Sequence, residues 1–175
     1  MRPERTTIDL GWGPVSYLAW QPDAAGQAPA VVLLHGGGAD NAWLSWGGLG
    51  AALADAGHRV YAPDHPGYGE SPLPPWPHTQ ERLVAHVGTF LDALGLDRVT
   101  LGGLSMGGGM ALGFTLDHPD RVCGLMLFGS YGLADRQYAG LAAMPAQALS
   151  WVAVRTGAMG RIMRRSARNR TLMRA

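Results

Sequence analysis

The stretch that most restricts the fold is Val99-Thr100-Leu101-Gly102-Gly103-Leu104-Ser105-Met106-Gly107-Gly108-Gly109, a Gly-x-Ser-x-Gly pattern set between two regular elements. Arg98–Gly102 reads as a short buried strand, and Met106–Leu116 as a helix with small residues on the face turned to a sheet. Ser105 then falls on a sharp strand-to-helix turn. Such a turn is sterically tolerable only if the residues two before and two after lack side chains, and these are Gly103 and Gly107. The hydroxyl is left pointing out of the turn, where it can act as a nucleophile. The following helix N-terminus favours negative charge, so the N–H of Met106 can stabilise an oxyanion.

A second glycine cluster lies upstream. Val31-Val32-Leu33-Leu34 is a branched apolar run suited to a central parallel strand, and it ends in His35-Gly36-Gly37-Gly38. A loop of this kind can turn a main-chain N–H toward the serine and complete an oxyanion hole. Phosphate cradling is disfavoured: no G-x-x-x-x-G-K-[ST] pattern is present, and the sequence contains no lysine. His35 precedes the serine and belongs to the loop, and it reads as structural.

The remaining pattern is an α/β alternation. Thr6–Leu10 and Val15–Gln21 read as an antiparallel pair joined at Gly11-Trp12-Gly13-Pro14. Ala30–Leu34, His58–Pro63, Arg98–Gly102 and Val122–Phe128 read as core strands, with helices near Leu44–Ala56, Thr79–Leu94 and Met106–Leu116 crossing between them. The expected fold class is therefore α/β, a doubly wound and mostly parallel sheet. Trp43, Trp46, Trp76, Tyr61 and Tyr68 are candidates to line a pocket or to fill the core.

The order of strand, His-Gly-Gly-Gly loop, helix, strand, Asp64-His65-Pro66-Gly67-Tyr68-Gly69-Glu70-Ser71, helix, strand and Gly-Leu-Ser-Met-Gly-Gly resembles the α/β-hydrolase superfamily. Within it the chain looks most like lid-bearing esterases, meta-cleavage-product (C–C bond) hydrolases and non-haem haloperoxidases. His118-Pro119-Asp120-Arg121-Val122 and Gly124–Gly129 match the stretch that follows the elbow helix, so the resemblance covers residues 6 to 135. It implies Ser105 as nucleophile, with an oxyanion hole from the N–H groups of Met106 and Gly37 and with Gly38 as the alternative donor. The C–C hydrolases usually continue the glycine loop with Pro-Gly and place Asn before the nucleophile. This chain has Ala39-Asp40 and Leu104 instead. Cleavage of an ester or related acyl bond through an acyl-enzyme is accordingly the first reading, and C–C hydrolysis an alternative.

The superfamily order requires an acid and then a histidine after the serine. After Ser105 the sequence offers His118, Asp117, Asp120 and Asp135. His118 lies at the far end of the elbow helix, roughly 20 Å away at 1.5 Å per residue, beyond the ~3 Å reach of a general base. It reads as part of a helix stop with Pro119. Asp135 is a weak candidate for the acid, and no credible histidine follows. The resemblance thus implies a C-terminally truncated member. Residues 1–132 form an incomplete core through the sixth strand, and 133–175 the start of a helical lid.

The charge is split. Residues 1–135 carry six Arg against thirteen Asp and Glu (net −7), and residues 136–175 carry eight Arg and no acid (net +8). A basic arm for nucleic acid or an anionic membrane is weighed against a lid helix pair, and the lid is preferred because the arginines follow a hydrolase-like half rather than a nucleic-acid-binding motif. The Met-rich lid segment, including Met144, Met159, Met163 and Met173, suits a moderately large apolar acyl or aromatic group. His65, His78 and His86 fit no metal-ligand spacing, and neither metal nor organic cofactor is expected. The single Cys123, in an apolar strand, is expected to be buried and inert. No signal core or membrane-length apolar run is evident, which makes the cytoplasm the expected compartment. The partner implied is a small apolar ester or acyl substrate, with homo-oligomer formation left open. The alternative from another class is a non-catalytic fragment acting as a binding module, motivated by the missing base and an exposed sheet edge.

Overall fold

Ala30–Leu34 is buried at every position, so its alternating side chains must enter two different cores. This strand, β3, lies inside a six-stranded sheet in the computed structural model, which describes residues 1–22, 26 and 28–133. The other strands are β1 (Glu4–Asp9), β2 (Pro14–Trp20), β4 (Val60–Pro63), β5 (Val99–Leu104) and β6 (Val122–Phe128). Their spatial order is β1-β2-β4-β3-β5-β6. β1 and β2 are antiparallel, β2 is antiparallel to β4, and β4, β3, β5 and β6 run parallel. The expected α/β fold class and mostly parallel sheet are what the structure shows.

Three helices complete the layers: α1 (Ala42–Asp55), α2 (Gln80–Ala93) and α3 (Met106–Asp117). Val32 and Leu34 pack in a core with Leu83, Val87, Phe90, Leu91, Met110 and Phe114, which belong to α2 and α3. Val31 and Leu33 pack in a second core with Trp46 and Ala54 of α1 and with Trp20. The helices therefore lie on both faces, α1 on one and α2 with α3 on the other. Asn41 caps α1 by accepting the Leu44 N–H at 2.9 Å, and Thr79 caps α2 by accepting that of Arg82 at 3.3 Å.

This topology positions the site. From β3 the chain passes through α1 to β4 on one side, then through α2 to β5 on the other side of β3. The winding direction reverses around β3, and the loops after β3 and β5 diverge at the carboxyl end of the sheet. In open α/β sheets this crevice is where ligands bind.

The structure corrects one expectation. Cys123 is exposed, because β6 pairs only with β5 among the described residues and Cys123 lies on the less covered part of that strand. Of the aromatic residues weighed for a pocket, Trp46 and Tyr61 are core and Trp43 is exposed. Asp135 and the lid and basic-arm readings, from 134 onward, lie outside the described residues.

Candidate active site

Ser105 has φ 50° and ψ −109°, and it is the only non-glycine residue among those described with positive φ. An L-residue is held there only when its surroundings over-determine the turn. Here they do: the Ser105 N–H donates to the Phe128 carbonyl at 2.9 Å, and the Ser105 carbonyl accepts from the Gly109 N–H at 3.1 Å. The elbow is thus tied to the end of β6 on one side and to the first turn of α3 on the other.

The two flanking glycines are sterically enforced. A Cβ on Gly103 would lie 2.4 Å from the Gly107 carbonyl oxygen. A Cβ on Gly107 would lie 2.2 Å from the Leu34 carbonyl oxygen and 2.5 Å from that of His35. The start of α3 therefore rests directly on the end of β3, bringing the elbow against the glycine loop. Ser105 is exposed, and α3 has no side-chain N-cap. Its first N–H groups, beginning with that of Met106, have no intrahelical acceptor.

The glycine loop lies alongside. A Cβ built on Gly36 would sit 3.7 Å from the Ser105 Cβ, and one on Gly37 would sit 3.6 Å from the Met106 Sδ and 3.8 Å from the Tyr68 hydroxyl oxygen. Gly38, with φ +79°, has nothing within 4 Å of its Cβ position. Gly37 and Met106 are thus neighbours beside Ser105, whereas Gly38 points its α-carbon into open space. The Gly36 N–H is already engaged, donating to the Asp40 Oδ2 at 2.8 Å. Asp40 Oδ2 also accepts the Ser45 hydroxyl at 2.7 Å, and Oδ1 accepts the Asn41 N–H at 2.8 Å.

Two buried histidines brace the loop from behind. His35 Nε2 accepts the His65 N–H at 3.0 Å, so its Nδ1 carries the proton and donates to the Gly36 carbonyl at 2.7 Å. His65 Nε2 donates to the His35 carbonyl at 3.0 Å. Burial lowers the pKa of His35. It lowers that of His65 well below the usual range, with His35 and His86 nearby adding to the effect. Both rings are neutral at neutral pH and serve as struts. Asp64, fully buried after β4, accepts from Arg5 at 2.6 Å, from the Ala42 N–H at 2.8 Å and from the Glu70 N–H at 3.1 Å. It joins β1, the start of α1 and the 64–71 loop around one charge.

Of the acids and histidine expected after the serine, His118, Asp117 and Asp120 all lie at the far end of α3 or just beyond it, exposed. None shares the Ser105 end of the helix. Sequence reasoning passed over the role of Asp40, which stands just before the Asn41 cap and holds the loop by its backbone. A carboxylate four residues after a loop glycine, at a helix start, is the signal that could have found it.

Residues 29–168 match the sequence profile of the family described as alpha/beta hydrolase fold. The chain is 36% identical over 117 residues to a 2-hydroxy-6-oxo-6-phenylhexa-2,4-dienoate hydrolase of Comamonas testosteroni, covering 66% of this chain and 41% of that enzyme. It is 40% identical over 103 residues to epoxide hydrolase 2 of Siraitia grosvenorii, covering 58% of this chain and 32% of the relative. Among solved structures, the 2-hydroxy-6-oxo-6-phenylhexa-2,4-dienoate hydrolase of Rhodococcus sp. strain RHA1 superposes with a TM-score of 0.67 at 28% identity, covering 81% of this chain and 52% of that one. The chain spans about two fifths of the length of the dienoate hydrolases it matches. By the profile match and by the sheet that carries the elbow, this chain belongs to the α/β-hydrolase fold family.

Proposed function

We propose that the chain carries the nucleophile and oxyanion hole of a serine hydrolase acting on a small apolar ester or related acyl bond. The observation that supports this most is the exposed Ser105, held at positive φ between β5 and α3, with Gly37 and Met106 adjacent beside it. Ser105 Oγ attacks the carbonyl carbon, and the oxyanion is held by the N–H groups of Gly37 and Met106, with Gly38 the alternative donor. Collapse of this intermediate expels the alcohol and leaves an acyl group on Ser105, which water then removes. The Oγ proton passes to a general base that the described residues do not include. Among the described residues no helix is long and apolar enough to cross a membrane.

The test is hydrolysis of p-nitrophenyl esters by the full-length protein and by its S105A variant. Ester turnover above S105A, faster for medium-length acyl chains than for acetate, supports the reading. Equal rates in the two proteins contradict it.

A second reading is favoured by the relatives, several of which are named as hydrolases of 2-hydroxy-6-oxo-dienoates. On this reading Ser105 serves hydrolysis of a C–C bond beside a ketone. Consumption of 2-hydroxy-6-oxo-6-phenylhexa-2,4-dienoate, followed by its absorbance and lost in S105A, would establish it over the ester reading.

A further inference from the structure

Both hydrogen bonds that hold the backbone of Ser105 lead to one side chain on α2. The Ser105 carbonyl accepts from the Gly109 N–H at 3.1 Å, and the Gly109 carbonyl in turn accepts from Gln80 Nε2 at 2.9 Å. On the other side the Ser105 N–H donates to the Phe128 carbonyl at 2.9 Å. Just beyond Phe128, the Tyr131 hydroxyl donates to Gln80 Oε1. The Gln80 amide offers both a donor and an acceptor, and with them it closes a circuit that runs Ser105, Gly109, Gln80, Tyr131, Phe128 and back to Ser105.

Glycine makes the circuit possible. A Cβ on Gly109 would lie 2.3 Å from the Tyr131 Cζ, and one on Gly108 would lie 2.6 Å from the Ser130 Oγ. On the next turn, a Cβ on Gly113 would lie 2.7 Å from Val84 Cγ2 and 3.3 Å from Gln80 Nε2. Ser130 and Tyr131 therefore lie flat across the first turn of α3, and α2 closes on the turn after it.

The same glycines leave that turn weak. Glycine is the poorest helix former short of proline, and Gly107, Gly108 and Gly109 all fall in the opening of α3, which has no side-chain cap. Yet this turn must fix both Ser105 and the Met106 N–H. Burial raises the pKa of Tyr131 above the ordinary tyrosine value, so its hydroxyl keeps the proton it donates. Gln80 is exposed and Tyr131 half-buried, so substitutions that remove only these polar atoms leave both cores intact.

From this circuit we infer that Gln80 and Tyr131 are positioning residues for Ser105: they lock the first turn of α3, so that the hydroxyl and the Met106 N–H keep their mutual geometry. The inference rests on Ser105 being the nucleophile. Neither residue touches the reacting atoms; they act through Gly109 and the end of β6.

The test is the kinetics of Ser105 modification by a fluorophosphonate in the full-length protein, in Y131F, in Q80M and in the double variant, followed by peptide mass spectrometry. Amide exchange of residues 106–109 is measured beside it. Y131F keeps the ring on Gly109 and Q80M keeps the side-chain length, so urea midpoints stay near that of the unmodified protein. Each single variant lowers the maximal rate of modification by about three- to tenfold, the factor that one net hydrogen bond represents, with the half-saturating phosphonate concentration unchanged. The double variant is no slower than the slower single one, because either change opens the same circuit. D92A, which removes an exposed contact in the last turn of α2, leaves the rate unchanged. The 106–109 amides exchange faster in both single variants. Unaltered modification and exchange in Y131F and Q80M would overturn the inference, as would additive slowing in the double variant. If the unmodified protein fails to react at Ser105, the nucleophile reading falls and exchange alone decides the lock: faster exchange in both variants supports it, and equal exchange overturns it.

Discussion

Gly107 at the start of α3 and Leu34 at the end of β3 approach so closely that a Cβ on Gly107 would lie 2.2 Å from the Leu34 carbonyl oxygen. The obstacle is backbone, which cannot rotate aside as a side chain can. Substitution G107A therefore forces α3 off the strand, costing about 3 kcal/mol or more of stability. At Gly38 the obstacle is conformational alone, since φ is +79° and the space is empty. G38A costs about 1 kcal/mol. Urea unfolding of the two variants checks the order; equal costs would contradict the packing described.

Asp40 acts on the glycine loop through Gly36, next to the Ser105 Cβ. D40A frees the Gly36 N–H and the Ser45 hydroxyl and costs about 1–2 kcal/mol of stability. D40N keeps an acceptor for Gly36 and loses less. If Asp40 positions the loop, modification of Ser105 by a phosphonate slows in D40A and is largely restored in D40N. Equal rates in the two variants would limit Asp40 to a role in stability.

His86 and His65 make stability depend on pH. The ordinary histidine pKa is about 6.5, and burial lowers that of His86 to about 4 and that of His65 in the same direction. On acidification the unfolded chain takes up protons before the folded one. The effect is absent above about pH 7. Stability falls as pH drops below about 6.5, by about 3 kcal/mol for His86 on reaching pH 4, where the His86 contribution levels off. Urea midpoints between pH 4 and 8 check this. Carboxylates contribute at the acid end, so the difference between the unmodified chain and H86M isolates the histidine. An unchanged slope in H86M would contradict a neutral buried His86.

The elements that read correctly from sequence are those whose pattern is local. Ala30–Leu34 and Val122–Phe128 are bounded as expected, because each is a branched apolar run closed by glycine or a helix stop. The Gly-x-Ser-x-Gly turn was legible because its glycines answer a steric demand within five residues. Cys123 was misplaced because apolar character does not report which strand lies at the margin of the described sheet. Asp40 was missed because its partner is a backbone N–H, which leaves no trace in residue type. His86 and Trp12 are 74 residues apart, and no local pattern joins them.

The central claim is that Ser105 is set apart from other serines by the turn that holds it. Prolonged incubation of the chain with a fluorophosphonate, followed by peptide mass spectrometry, tests this directly. Without its base a serine reacts slowly, but the oxyanion hole and binding alone still supply about 10³–10⁴-fold over water in serine proteases lacking a triad member, so a long incubation reads out the site. The account predicts one adduct per chain, on the peptide containing Ser105, absent in S105A. Adducts spread evenly over several serines, or modification that persists unchanged in S105A, would contradict it.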